Sequence, residues 1–174
     1  MKSKTMDQHK KGAPRNIKVG VITLSDSKYE EALKSKHTDI SGDIIEKSLQ
    51  KKDYSVARSI IPDESEDLLK TIEKLAKTEN VDVIITTGGT GIGSRDITIE
   101  TLHEIFEKEL NGFGEIFRSV SYKELGSGAI LSRATAGVYH RTLIIALPGS
   151  PNAVKTGLNI ILDELGHLVK HLKE

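Results

Sequence analysis

The chain has 174 residues, within the roughly 100–200 typical of one domain, and no cysteine, which excludes disulfides, thiolate catalysis and Cys-bound zinc or iron–sulfur clusters. Its 25 Lys and Arg balance 25 Asp and Glu, without the basic excess of a nucleic-acid-binding protein. No apolar run approaches the roughly 20 residues of a membrane span, and the N-terminus lacks the apolar core of a signal peptide, so a cytoplasmic protein with no membrane or nucleic-acid partner is expected.

In chain order, Met1–Arg15 is a basic tail, with Lys2, Lys4, Lys10, Lys11 and Arg15 against Asp7, and is expected to be disordered; residues 16–174 form the domain. Ile17–Leu24 reads as a strand buried on both faces. Asp39 or Ser41 can cap a helix that buries Ile44, Ile45 and Leu49. Tyr54–Ile61, rich in β-branched residues and stopped by Pro62, is a second strand. Leu68, Leu69, Ile72, Leu75 and Ala76 then mark a helix. Val81–Thr87 is the third strand.

After a glycine loop, Ile99, Leu102, Ile105, Phe106 and Leu110 stand at helical spacing, ended by Asn111-Gly112; a short helix over Gly114–Glu124 follows. Ala129–His140 suits an irregular edge strand and Thr142–Leu147 a buried one. Ser150 as N-cap and Pro151 as first residue open a last helix, with a continuous stripe from Val154 to Leu172. The alternation predicts an α/β fold, with a mostly parallel sheet between two helical layers.

In such a sheet the strand-to-helix loops share the carboxyl edge, where ligands bind. The unusual residues fall in four of them: Ser25-Asp26, Pro62-Asp63, Gly88–Asp96 and Pro148–Asn152. In the loop TTGGTGIGSRD, Gly88, Gly89, Thr90, Gly91 and Gly93 allow close backbone approach to an anion, a helix start follows, and Arg95 can clamp phosphate. The spacing fits neither a P-loop nor a dinucleotide fingerprint. Asp63 and Asp96 can hold Mg²⁺ against phosphates or orient an attacking oxygen. Each can equally be structural, Asp63 in a capping box with Glu66 and Asp96 as a helix cap. Pro148, Gly149, Ser150 and Pro151 make either a second anion cradle or a well-made helix start. His167 and His171 stand four apart on the last helix without an evident third ligand, and read as a solvated face.

From about Ile17 to the C-terminus the chain resembles the molybdopterin adenylyltransferases of the MogA/MoaB family, which are related to domains of gephyrin and of plant molybdenum-cofactor enzymes. The matching residues are Leu24-Ser25-Asp26, Asp39-x-Ser41-Gly42, Ile61-Pro62-Asp63-Glu64, Thr87–Gly91, Arg95-Asp96-x-Thr98, Gly112-Phe113-Gly114-Glu115, Leu131-Ser132-Arg133-Ala134, Ala136-Gly137 and Leu147–Val154. The resemblance implies a three-layer α/β/α fold, assembly as a homotrimer or homohexamer, and Mg²⁺-assisted transfer of AMP from ATP to the phosphate of molybdopterin, releasing pyrophosphate. It implies that Asp63 and Asp96 are catalytic and meet the metal through Mg-ATP. It further implies that Ser25, Asp26, Gly88–Gly91, Arg95, Ser132, Arg133 and Pro148–Pro151 contact molybdopterin or ATP, and that a molybdate-insertion enzyme acts downstream. The chain has Thr98-Ile99-Glu100 where many relatives have Thr-Pro-Glu. It keeps the Arg95-Asp96 pair that some MoaB-type members lack. The alternative is a molybdopterin-binding carrier or scaffold without transferase activity.

Overall fold

The computed structural model describes Pro14 and residues 16–174; the tail expected over 1–15 lies, Pro14 apart, outside the described residues. The strands are β1 (Lys18–Leu24), β2 (Ser55–Ile61), β3 (Val83–Thr87), β4 (Lys108–Glu109), β5 (Thr135–Tyr139) and β6 (Thr142–Leu147). The helices are α1 (Asp26–Leu33), α2 (Ile40–Gln50), α3 (Ser65–Glu73), α4 (Thr98–Ile105), α5 (Asn111–Leu125), α6 (Pro151–Ile161) and α7 (Leu165–Lys173). A π-helical turn, Lys74–Thr78, extends α3, and a 3₁₀ segment, Gly126–Leu131, follows α5.

The strands form one sheet in the order β2-β1-β3-β6-β5-β4. The first four are parallel, and β5 and β4 add an antiparallel margin. Side chains alternate between the faces along each strand. Val19, Val21, Val83, Ile85, Leu143 and Ile145 join the core under α2, α5, α6 and α7. Ile22, Leu24, Ile84, Ile144 and Ala146 join the core under α3 and α4. The sheet thus has helices on both faces, as the periodicity and the resemblance lead one to expect.

Several elements differ from the sequence reading. The helix with Ile99 and Leu102 ends at Ile105, because Phe106 turns extended (ψ 123°) and the amides of Glu107 and Leu110 pair with β5 carbonyls. Asn111-Gly112 opens α5 rather than forming a break, and the edge strand is β4, not the segment containing β5. The C-terminal stripe divides into α6 and α7 at residues 162–164. Helix α1 has no fully buried residue, so no apolar period announces it.

The described residues contain no helix long and apolar enough to cross a membrane.

Candidate active site at the switch point of the sheet

Strand β1 is followed by a move to β2 on one side, and β3 by elements on the other, so β1 and β3 form the topological switch point. The residues singled out from sequence gather at its carboxyl edge. The Gly88 N–H donates to the Leu147 carbonyl (3.1 Å), joining the glycine loop to the end of β6. Thr87 Oγ1 donates to Pro148 O (3.1 Å) and Ser41 Oγ to Gly149 O (2.8 Å), fixing the Pro148–Ser150 loop from two sides. Ser150 caps α6 by accepting from the Ala153 N–H (3.2 Å), with Pro151 as the first helical residue.

Two glycines in the loop have a backbone requirement. Gly88 has φ 102° and Gly89 φ 59°, and a Cβ on Gly88 would stand 2.1 Å from Leu24 O. A Cβ on Gly89 would crowd Thr98 Oγ1 (2.6 Å) and Asp63 Oδ1 (3.1 Å). Thr98, fully buried, holds the same turn: its Oγ1 donates to Gly88 O and its N–H to Gly89 O, both at 2.9 Å. Arg133 Nη1 donates to Gly91 O (2.9 Å) while the guanidinium also pairs with Glu100, and Thr90 is buried between these anchors.

The carboxylates surround this loop. Asp26 and Asp63 are bonded reciprocally, the N–H of each donating to the carboxylate of the other at 3.0 Å. Arg95 spans Asp26, through Nε (3.1 Å) and Nη2 (3.0 Å), and Glu64, through Nη1 (2.7 Å). The phosphate clamp expected of Arg95 is therefore engaged by protein carboxylates. Arg95 hydrogen bonds, followed by the Asp63 N–H, hold the Asp26 carboxyl below its usual range. Burial pushes the Asp63 carboxyl up against the lowering effect of the Asp26 N–H and of Arg95, and the charges of Asp26 and Asp96 add to the rise.

Neither aspartate takes the capping role that was its structural alternative. The N-cap of α3 is Glu64 and that of α4 is Ile97, and neither helix has a side-chain cap bond. Asp96 instead accepts from the Gly93 N–H through Oδ2 (2.8 Å) and lies against Gly91. Asp63 Oδ1 is buried and has no hydrogen-bond donor among the described residues. Such an atom suits a cation or a proton, and Mg²⁺ is commonly held by one or two carboxylates together with substrate phosphates. Among the described residues no group of three or more His, Cys, Asp or Glu is placed to hold a metal by itself. His167 and His171 contact each other edge to face at 4.5 Å without forming part of such a group.

Residues of the Pro148–Ser150 loop line two cavities. The larger, about 510 Å³, is lined by residues including Leu131, Ser132, Pro148, Ser150, Asn152 and Thr156, and lies within the roughly 300–1,000 Å³ range of small-molecule sites. The smaller, about 190 Å³, is lined by residues including Ser25, Lys28, Ser41, Thr87, Gly88 and Gly149. Ser41, Thr98, Glu64 and Lys28 are not among the site residues expected from the sequence. The motifs around Ser41, Glu64 and Thr98 held a signal, but Lys28 had none, because α1 carries no apolar stripe.

A doubly wound sheet with a glycine loop, paired carboxylates and cavities at its switch point is an arrangement suited to a nucleotide or phosphate ligand. The family described as the probable molybdopterin binding domain matches residues 20–167, and the chain belongs to that family. It is 48% identical over 161 residues to a probable molybdopterin adenylyltransferase of Methanocaldococcus jannaschii, covering 92% of this chain and 96% of that one. It is 44% identical over 173 residues to the molybdopterin adenylyltransferase of Pyrococcus furiosus, covering 97% and 99% of the two chains. The fold matches the crystal structure of the tungsten cofactor synthesizing protein MoaB from Pyrococcus furiosus with a TM-score of 0.82 and 44% identity, over 93% of this chain and all 100% of that one.

Proposed function

We propose that this chain is a molybdopterin adenylyltransferase of molybdenum-cofactor biosynthesis, transferring AMP from Mg-ATP to molybdopterin. An oxygen of the molybdopterin phosphate attacks the α-phosphorus of ATP. A new P–O–P bond forms, the α–β P–O bond breaks, and pyrophosphate leaves. The activity named for close relatives supports the reaction. The observation that carries it to this site is Asp63 Oδ1, a buried acceptor without a donor beside the glycine loop, with Asp96 held on the same loop.

Asp26 and Glu64, paired with Arg95, stand beside Asp63 and Asp96 at this edge, and the guanidinium of Arg133 on the same loop is paired with Glu100, so carboxylates outnumber cations. A bare triphosphate would be repelled there. Bound Mg²⁺ would supply charge neutralisation and polarise the phosphate oxygens. Asp63 and Asp96 would hold it and orient the reacting phosphates, the loop amides would receive phosphate oxygens, and Arg95 would keep Asp26 in place. The cleft beside Ser132 and Ser150 has the size for an organic ring system.

The setting proposed is the cytoplasm, with a metal-inserting enzyme consuming the adenylylated product. Exposed Ile116, Tyr122, Leu125, Ile130 and Leu131 give α5 and the 3₁₀ segment an apolar surface suited to another copy of the chain, supporting a trimeric or hexameric assembly.

Asp96→Asn tests the reaction. Asn can still accept from the Gly93 N–H, so the loop keeps its shape while the charge is lost. Pyrophosphate release should fall at least about 100-fold, roughly 2.7 kcal/mol of transition-state stabilisation. Molybdopterin affinity should change little, and wild-type turnover would refute the assignment.

A further inference from the structure

We propose that the cavity of about 190 Å³ is a phosphoryl-group subsite and that Lys28 is its cation, a further substrate-binding residue of this protein. The inference rests on the phosphate-handling reading above and adds to it a residue on the other side of the glycine loop. Size sets the occupant: the cavity is below the roughly 300 Å³ at which whole-ligand pockets begin, so it suits one tetrahedral anion rather than a nucleoside or a pterin.

Composition sets the charge. The lining comprises hydroxyl-bearing Thr23, Ser25, Ser41 and Thr87, the apolar Leu24, two glycines and Lys28, whose ammonium is the one ionisable side chain among them. Gly149 O, the carbonyl of a lining residue, already accepts from Ser41 Oγ (2.8 Å), and the Thr87 and Thr23 hydroxyls donate to Pro148 O and Asp39, so the positive charge offered to an anion is that of Lys28.

Lys28 is not consumed by protein partners. It is half-buried in the first turn of α1, and among the described residues no carboxylate lies within ion-pair reach of it. Its own helix offers Glu31 at i+3, but that carboxylate accepts from Thr38 Oγ1. The acid behind the cavity is Asp39, bonded to Thr23 Oγ1 (2.6 Å) and paired with Arg58 (2.8 Å), so its charge is answered from the far side. The glycine loop therefore has a carboxylate flank, Asp26, Asp63 and Asp96, and a cationic flank, Lys28. Phosphoryl groups laid across the loop meet a bound divalent cation on one flank and the ammonium on the other.

Calorimetry with inorganic pyrophosphate and with inorganic phosphate tests this on the wild type, Lys28→Gln and Lys28→Arg. Lys28→Gln should weaken anion affinity about tenfold, with a melting temperature close to that of the wild type, and Lys28→Arg should recover most of the loss. In turnover, Lys28→Gln should raise KM more than it lowers kcat. A rise for ATP assigns the subsite to the nucleotide, and a rise for molybdopterin assigns it to the pterin phosphate. Anion affinity within twofold of wild type in Lys28→Gln would overturn the proposal. The binding arm keeps the two claims apart: a wild type that binds pyrophosphate through Lys28 but forms no adenylyl-molybdopterin refutes the reaction and leaves the subsite standing.

Discussion

The two oxygens of Asp63 are in different circumstances. Oδ2 accepts from the Asp26 N–H, a structural bond that locks the end of β2 to the end of β1, whereas Oδ1 is enclosed without a donor among the described residues. Asp63→Asn separates the two roles, since the amide oxygen can replace Oδ2 while the charge is removed. The ratio of ATP affinities measured with and without Mg²⁺ should fall by about tenfold, the factor that roughly 1.4 kcal/mol represents. An unchanged ratio would assign Asp63 to the structural bond alone. From sequence, Asp63 and Asp96 could be placed at one edge but could equally be helix caps. The choice depends on where each carboxylate folds back, and Asp96 closing on Gly93 is a contact that spacing alone does not specify.

At the level of elements, the glycine loop depends on two positive-φ glycines and on the bonds from Thr98. Gly88→Ala puts a Cβ at φ 102° and against a backbone oxygen, where nothing can move aside cheaply. It should cost about 2–3 kcal/mol and lower the melting temperature by about 6 °C or more. Gly112→Ala is the control: in the first turn of α5 a Cβ there meets nothing within 4 Å, and thermal unfolding should be unchanged or slightly later. A Gly88→Ala protein as stable as the wild type would show that the loop can relax.

The continuous apolar runs of β1, β3 and β6, buried on both faces of the sheet, and the capped start and apolar stripe of α6 could be read directly. The elements that escaped obey other constraints. Helix α1 is amphipathic only weakly, β4 is two residues paired at an edge, and α4 stops where pairing with β5 outcompetes another helical turn.

At the scale of the molecule, the strand order does the assembling. It brings the ends of β1, β2, β3 and β6 to one edge, and with them residues as far apart in sequence as Ser41 and Gly149. The fold class followed from alternation alone, but the division of that edge into a carboxylate flank, a cationic flank and a larger cleft needed the packed structure. The reaction proposed for this edge is adenylyl transfer. The direct measurement uses ATP labelled at either the α- or the γ-phosphorus, with molybdopterin and Mg²⁺, followed by analysis of the pterin product. The α-label should appear on the pterin in equal amount to the pyrophosphate released, with no transfer from the γ-position. Label transferred from the γ-phosphorus with formation of ADP, or no label on the pterin at all, would contradict the claim.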